Sequence, residues 1–159
     1  MARVYIALGA NLGEPRQTIK DAIFHLSGLP QLQHLRASSL YSSSPMGPSD
    51  QPDYVNAVVV AETDLAPLAL LDLLQATEHK FGRQRKQHWG PRTLDLDVLL
   101  YDDAVINEPR LTIPHPGLCE RDFVVVPLAE LAPELVLPNG QSLKSLEGVM
   151  AHHDLQKIT

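Results

Sequence analysis

The stretch from Thr93 to Tyr101 constrains the fold of this chain more than any other part of its sequence. It reads Thr-Leu-Asp-Leu-Asp-Val-Leu-Leu-Tyr, and alternation of apolar and polar residues is typical of a β-strand with one buried face. The alternation predicts that four apolar side chains share one face, namely Leu94, Leu96, Val98 and Leu100. Asp95 and Asp97 then point together from the opposite face.

The two aspartates have the spacing of a metal site. Residues two apart on a strand lie roughly 6.5 to 7 Å apart at their Cα atoms, so both carboxylates can reach one ion or hold two ions about 3.5 to 4 Å apart. Oxygen ligands suit Mg²⁺, which fills its remaining positions with water and phosphate oxygens. The alternative is that Asp95 and Asp97 only keep an exposed strand soluble. Four cations upstream favour a site for metal and polyphosphate together, namely Arg83, Arg85, Lys86 and Arg92.

Composition excludes several classes of protein. A net charge of −6 argues against a general nucleic-acid binder, whose surface needs a basic excess. No apolar run approaches the roughly 20 residues that a membrane-spanning helix needs. The single Cys119 cannot form an internal disulfide, which favours a reducing compartment. We therefore expect one cytoplasmic domain over residues 1–159 that binds neither membrane nor nucleic acid. A monomer is a separate expectation, because composition does not give the oligomeric state.

The order of predicted elements indicates an α+β fold. The periodicities predict strands over Val4–Leu8, Leu32–Ser42, Tyr54–Ala61 and Thr93–Tyr101, with helices running from Pro15 to Gly28 and from Pro67 to Gly82. A short strand pair around residues 107–109 and a helical run from Arg121, interrupted at Pro127, follow. This order fits a ferredoxin-like (split βαβ) antiparallel sheet with both main helices on one face, plus small C-terminal elements. The site then belongs on the uncovered face.

Tyr54 and Asn56 are predicted to share one face of their strand. An aromatic ring beside an amide that both donates and accepts hydrogen bonds suits a planar heterocycle. The alternative is a Tyr that packs across strands and an Asn with a structural role. Before this strand, residues 43–52 contain three prolines, which predicts a long surface loop.

The string from Trp89 to Asp97 resembles the signature of the 6-hydroxymethyl-7,8-dihydropterin pyrophosphokinase family. Further matching strings are Gly9–Gly13, Gln51–Ala57, Leu111–Pro116 and Pro127–Pro133, so that the resemblance runs from about Val4 to Gly140. It implies a ferredoxin-like fold and an enzyme of folate biosynthesis. The implied reaction transfers pyrophosphate from ATP to the hydroxymethyl group of 6-hydroxymethyl-7,8-dihydropterin and releases AMP.

The resemblance also implies a role for each matching residue. The implied catalytic residues are Arg83, Arg92, Asp95 and Asp97, with Asp95 and Asp97 holding two Mg²⁺ ions. The implied ATP contacts are Gln75, Glu78, Arg85, Lys86, Trp89, Val98, Arg110, Leu111, Thr112, His115 and Arg121, where Trp89 belongs to a lid. The implied pterin contacts are Ser43, Ser44, Met46, Tyr54, Asn56 and Phe123. Pro116 departs from the family pattern, which often has Tyr there, and it lacks a hydrogen-bond donor.

Two other functions fit parts of the pattern. A nucleotide-sugar transferase also uses Asp-x-Asp with a divalent ion, but this chain is short for a sugar-nucleotide fold and an acceptor domain. A non-catalytic regulatory module that binds a nucleotide on a ferredoxin-like sheet is the second alternative. Such a module has no need of paired carboxylates behind phosphate-matching arginines, and release of AMP distinguishes the enzyme from both.

Overall fold

The computed structural model describes residues 1–43, 54–82, 93–149 and 155–158. The strands are β1 (Ala2–Ala10), β2 (Gln33–Ala37), β3 (Tyr41–Ser43), β4 (Tyr54–Thr63), β5 (Asp95–Tyr101), β6 (Ile106–Glu108), β7 (Leu111–Ile113) and β8 (Gln156–Lys157). The helices are α1 (Pro15–Ser27), α2 (Pro67–Lys80), α3 (Asp122–Leu131) and α4 (Leu143–Val149), with a 3₁₀ turn at Leu118–Glu120.

The main sheet has the order β5-β1-β4-β3-β8, and β2 also pairs with β4. Every pairing in it is antiparallel. With β2 and β3 together as the second strand of the plan, this is the strand order of the split βαβ arrangement. The predicted α+β, ferredoxin-like fold is confirmed, and β6 and β7 form the predicted hairpin beside it.

The first face of the sheet is covered by α1 and α2, as predicted. Each helix has a proline in its first turn, where the missing amide costs no helical hydrogen bond. Ile19 and Leu26 of α1 and Leu70 and Leu74 of α2 are fully buried against the sheet. Their 3.6-residue spacing was readable in the sequence, and burial of each such side chain contributes about 1.5 to 3 kcal/mol.

The second face is not uncovered, so that prediction is wrong. Helices α3 and α4 pack on part of it, where Val58 and Leu99 of the sheet meet Val125 and Leu128 of α3. The predicted interruption at Pro127 is also wrong, because α3 continues through this residue. Pro127 lies well inside the helix, and its apolar ring is buried.

Strand β5 contains an irregularity that the alternating pattern did not predict. Its pairing with β1 shifts register between Tyr5 and Ile6, where Leu99 is the extra residue. As a result Leu99 and Leu100 both join the apolar cluster of the second face. The prediction that Leu100 shares a face with Leu96 is therefore wrong, because a bulge reverses the alternation beyond it.

Two predicted strand boundaries also differ from the structure. The stretch predicted as one strand is divided into β2 and β3, because Ser38 turns its side chain to the backbone of β4. Its Oγ accepts a hydrogen bond from the Val58 amide at 2.9 Å. Strand β1 does not end before Gly9, since Gly9 pairs with both Asn56 of β4 and Asp95 of β5.

Candidate active site

Asp95 and Asp97 project from the second face of β5 near the end of the sheet that α3 leaves open. They pair with Gly9 and Ala7 of β1, whereas Leu96 between them points into the core on the other face. Asp95 is half-buried, and the Asp97 side chain is 49% exposed. The prediction that both carboxylates share one face of the strand is therefore confirmed.

The surroundings of the two carboxylates fit Mg²⁺. Ala7 and Gly9, opposite them on β1, carry little or no side chain, so β1 places no bulky group beside the two carboxylates. Within the described part of the chain, no group of three or more His, Cys, Asp or Glu side chains is arranged to hold a metal ion. A site of two carboxylates leaves most of the coordination to water and substrate oxygens, which is the usual arrangement for Mg²⁺ at phosphate sites.

His115 lies next to Asp97 and is held in one tautomer. Its backbone amide donates to the Leu99 carbonyl at 3.0 Å, and its Nδ1 accepts a hydrogen bond from the Gly117 amide at 3.1 Å. The neutral ring thus carries its proton on Nε2, which lies 3.9 Å from Asp97 Oδ2. Burial lowers the pKa of His115, Asp97 opposes the shift, and Arg121 adds to it. The ring is therefore an uncharged donor near neutral pH.

A cavity of about 240 Å³ begins beside Asp97. Five of the predicted nucleotide contacts line it, namely Val98, Arg110, Leu111, Thr112 and His115. The structure thus brings together residues from β5, from the β6–β7 hairpin and from the segment after it. Leu71, Leu96, Pro109 and Pro116 also line the cavity, and sequence reasoning did not assign them. The sequence Leu-Thr-Ile-Pro-His-Pro contributes several of the lining residues.

Arg110 is held at the edge of this cavity by two side chains of α2. Its Nη2 donates to Asp72 Oδ1 at 2.6 Å and to Gln75 Oε1 at 3.3 Å. Gln75, a predicted ATP contact, therefore lies beside Arg110. Asp72 was not predicted, because its spacing on α2 only marks an exposed helix position.

Glu78 has an environment unlike that of the other predicted nucleotide contacts. It is 4% exposed, and its Oε2 accepts a hydrogen bond from the Leu96 amide at 2.8 Å. Its carboxylate therefore lies against the backbone of β5. The predicted contact between Glu78 and ATP stays a prediction.

Asn56 and Ser43 form a polar pair on the same face as Asp95. Both are buried, and Asn56 Nδ2 donates to Ser43 Oγ at 2.9 Å. Gly9 makes room for the amide, since a Cβ at Gly9 would lie 3.2 Å from Asn56 Oδ1. A glycine inside a strand often marks such a close approach. The sequence could have indicated the role of Gly9 in this way. Tyr54 is half-buried two residues before Asn56 on the same side of β4.

Phe123 lies in the first turn of α3, on the same side of the sheet as Tyr54. The guanidinium carbon of Arg121 lies 5.7 Å from the centroid of the Phe123 ring, within the range of a cation–π contact. The two predicted ligand-binding residues of this segment thus lie side by side. Arg121 also lies close enough to His115 to lower the pKa of that ring.

The other end of α3 is tied to β3 by Glu130. Its carboxylate accepts hydrogen bonds from the Tyr41 hydroxyl at 2.7 Å, from the Ser39 amide at 2.9 Å and from the Ser39 hydroxyl at 3.0 Å. Burial alone raises the pKa of Glu130, but these hydrogen bonds and Lys157 together lower it. Sequence reasoning did not assign Glu130, although it lies in a family string.

Seven predicted site residues lie outside the described residues. They are Ser44, Met46, Arg83, Arg85, Lys86, Trp89 and Arg92.

Comparison with known proteins decides the family. The family model described as 7,8-dihydro-6-hydroxymethylpterin-pyrophosphokinase (HPPK) matches residues 5–133. This chain belongs to the HPPK family. The pyrophosphokinase class predicted from the sequence is thereby confirmed.

Two bacterial relatives of this HPPK family member match almost end to end. The chain is 49% identical over 158 residues to the 2-amino-4-hydroxy-6-hydroxymethyldihydropteridine pyrophosphokinase of Haemophilus influenzae, covering 99% of both chains. It is 47% identical over 156 residues to the protein of the same name from Pseudomonas aeruginosa, covering 98% of this chain and 96% of that one.

A crystal structure of Plasmodium falciparum HPPK-DHPS with pteroate has the same fold. The TM-score is 0.73 at 15% sequence identity, over 93% of this chain and 42% of the longer one. At this identity the likeness extends to the fold alone. No helix in the described residues is long and apolar enough to span a membrane.

Proposed function

We propose that this protein transfers pyrophosphate from ATP to the hydroxymethyl group of 6-hydroxymethyl-7,8-dihydropterin in folate biosynthesis, with Mg²⁺ as the cofactor. The observation that carries the proposal is the position of Asp95 and Asp97. Both project from one face of β5, and Asp97 also lines the cavity that contains Arg110 and His115. The bacterial relatives bear the name of this activity.

In the proposed reaction the hydroxymethyl oxygen forms a bond to the β-phosphorus of ATP. The bond from that phosphorus to the oxygen shared with the α-phosphorus breaks, AMP leaves, and the hydroxyl proton passes to water. Two Mg²⁺ ions, when bound, would neutralise the triphosphate and lower the pKa of the hydroxyl group. Asp95 and Asp97 would hold them, so the two carboxylates set the position of the phosphate chain relative to the hydroxyl. Positioning and charge neutralisation then supply most of the rate enhancement.

The nucleotide would occupy the cavity beside Asp97. Val98, Leu111 and Thr112 provide an apolar wall and polar atoms for adenine and ribose. His115 would donate from Nε2 to a phosphate oxygen, because its Nδ1 is already engaged with the Gly117 amide. We assign further phosphate contacts to Gln75, Arg83, Arg85, Lys86, Arg92 and Arg121, and a lid role to Trp89.

The pterin would bind between Tyr54 and Phe123, with Asn56 and Ser43 at its polar edge. The buried Asn56–Ser43 hydrogen bond supports this assignment, because it orients an amide and a hydroxyl before any ligand arrives. A planar ring with several donors and acceptors matches such a preoriented pair. The backbones of Ser44 and Met46 complete the proposed pocket.

The experiment that tests the proposal is identification of the nucleotide product. Purified protein is incubated with ATP, Mg²⁺ and 6-hydroxymethyl-7,8-dihydropterin, and nucleotides are separated by chromatography. We expect AMP in equal amount to the pterin diphosphate, and no AMP when the pterin or Mg²⁺ is omitted. Release of ADP, or binding of ATP without any product, would contradict the proposal; the second outcome favours a regulatory nucleotide-binding module.

We also propose that the chain acts as one cytoplasmic domain over residues 1–159, and as a monomer. Packing of the C-terminal elements supports the single domain, since Leu143 and Leu146 of α4 join the apolar cluster of the second face. Strand β8 pairs with β3 in the main sheet. Sedimentation measurements test the oligomeric state.

A further inference from the structure

A buried carboxylate lies behind the two aspartates of the site. Glu78 is 4% exposed, and its Oε2 accepts the Leu96 amide hydrogen at 2.8 Å. Leu96 is the residue between Asp95 and Asp97. The contact joins α2 to β5 across 18 residues of sequence.

The position of β5 explains why this contact matters. Among the described residues, β5 pairs with β1 on one side only, because it lies at the end of the strand order. Asp95 and Asp97 pair with Gly9 and Ala7 of β1, while the Leu96 amide points away from β1 and toward α2. A backbone amide of an edge strand needs another acceptor when it is buried. Glu78 provides that acceptor, so three consecutive residues of β5 are held from both sides.

We propose that Glu78 is a positioning residue, which holds the β5 backbone so that Asp95 and Asp97 present their carboxylates to one metal site. The inference rests on the proposed function and deepens it. Glu78 acts through the Leu96 amide rather than by touching the nucleotide. Its helix is firmly placed, because Leu70 and Leu74 of α2 are fully buried in the core.

The two possible roles of Glu78 make different demands on its side chain. A contact with ATP or with a metal ion depends on the negative charge of the side chain, which the shorter Asp retains. A hydrogen bond to the Leu96 amide depends on reach, and the neutral Gln retains both length and an acceptor oxygen. Glu78→Asp and Glu78→Gln therefore separate the roles. Substitution of a residue that supports a metal ligand from behind typically weakens metal affinity by about 10- to 100-fold.

The main test measures Mn²⁺ affinity of the nucleotide-free protein by electron paramagnetic resonance of the free ion. We expect Glu78→Asp to weaken Mn²⁺ binding about tenfold and Glu78→Gln to stay within about threefold of the wild type. ATP affinity in EDTA should be unchanged in both variants. Three outcomes would each overturn the proposal. They are weaker Mn²⁺ binding by Glu78→Gln than by Glu78→Asp, equal Mn²⁺ affinity in the wild type and both variants, and weaker ATP binding by either variant in EDTA.

Thr77→Val is the matched control for general damage to α2. Thr77 is also buried, but its hydroxyl donates to the Leu73 carbonyl within the helix at 3.0 Å. Loss of that bond should lower the melting temperature and leave Mn²⁺ affinity unchanged. A parallel loss of Mn²⁺ affinity in this control would mean that helix stability alone explains the effect.

Amide hydrogen exchange on the wild-type protein tests the contact without any substitution. The Leu96 amide should exchange as slowly as the amide of Ile6, which lies in the central strand β1. Fast exchange at Leu96 would overturn the proposal even if neither Glu78 variant folded. Failure of the function itself is visible separately, because the wild-type protein would then release no AMP with the pterin.

Discussion

The two faces of the main sheet are formed by the same strands but differ in how evenly they are buried. On the first face, Ile6, Val59 and Leu96 are all apolar and buried beneath α1 and α2. On the second face, the polarity of the side chains changes along β4. Val58 is fully buried beneath α3, whereas two residues earlier Asn56 is polar. These first-face residues are apolar from one strand to the next, whereas the second face is divided between stability and chemistry.

The division of the second face follows from where α3 ends. In β5, Leu99 is buried under the 3₁₀ turn and α3, while Asp97 is exposed and Asp95 half-buried. In β1, Tyr5 is buried while Ala7 and Gly9 are half-buried. Apolar residues of β5 thus lie under α3, and the two carboxylates lie in the part of β5 that α3 does not cover. A charged residue under α3 would be desolvated, so the site is confined to the open end.

The largest expected effect is on the open end, from Asp97→Ala. Loss of one of two metal-holding carboxylates should lower kcat for AMP release by about 10²- to 10³-fold, while the melting temperature stays within about 2 °C because Asp97 is half-exposed. The measurement is AMP release at saturating Mg²⁺. Asp103→Ala, an exposed carboxylate beyond the end of β5, is the control. Turnover close to that of the wild type would contradict a metal role for Asp97.

The matching change on the first face is Leu74→Ala. Leu74 is fully buried, so its truncation should lower the free energy of unfolding by about 2 to 5 kcal/mol. Urea unfolding measures the change, and Leu68→Ala, at a more exposed position of the same helix, is the control. If the folded variant also loses most of its activity at low temperature, the first face contributes to catalysis as well as to stability.

A smaller effect is expected from Gly9→Ala, which adds one methyl group beneath the polar pair. The new Cβ would lie 3.2 Å from Asn56 Oδ1, and Asn56 cannot retreat freely because it is bonded to Ser43. The KM for the pterin should rise about five- to tenfold, with the KM for ATP unchanged. Gly28→Ala is the control, since its Cβ meets only ordinary contacts at 3.6 Å and beyond. Equal pterin KM values for Gly9→Ala and wild type would contradict the assignment of Asn56 to the pterin pocket.

The smallest effect concerns the covered end of the second face, through Glu130. Its folded-state pKa is lowered from 4.5, so its ionised form contributes stability above about pH 4.5 that is lost as pH falls through the folded-state value. Glu130→Gln should lower the melting temperature by about 2 to 4 °C at pH 7, and the difference should shrink below pH 4.5.

The control for Glu130 is Glu134→Gln, because Glu134 is exposed and pairs only with Lys144 among the described contacts. Its melting temperature should follow that of the wild type at both pH values. A Glu130→Gln difference that persists unchanged at low pH would show that the Glu130 charge does not act through Tyr41 and Ser39.

Local periodicity predicted much of this architecture. The spacing of Ile19, Ala22 and Leu26 predicted α1 and its buried side, and Pro15 and Gly28 marked its ends. The alternation around Asp95 and Asp97 predicted their common face correctly. It failed at Leu100, because the bulge at Leu99 arises from register with β1, and register is a property of two strands together.

The sequence by itself determined α1, α2, most of β1, β4 and β5, and the paired carboxylates, since each depends on residues that are near one another in the chain. Only the tertiary structure decided which distant residues meet. The contact of Glu78 with Leu96 joins residues 18 apart, and that of Glu130 with Ser39 joins residues 91 apart. Such pairs depend on how α2 and α3 dock on the sheet. A single exposed or buried carboxylate therefore reveals its role only when its partner is known.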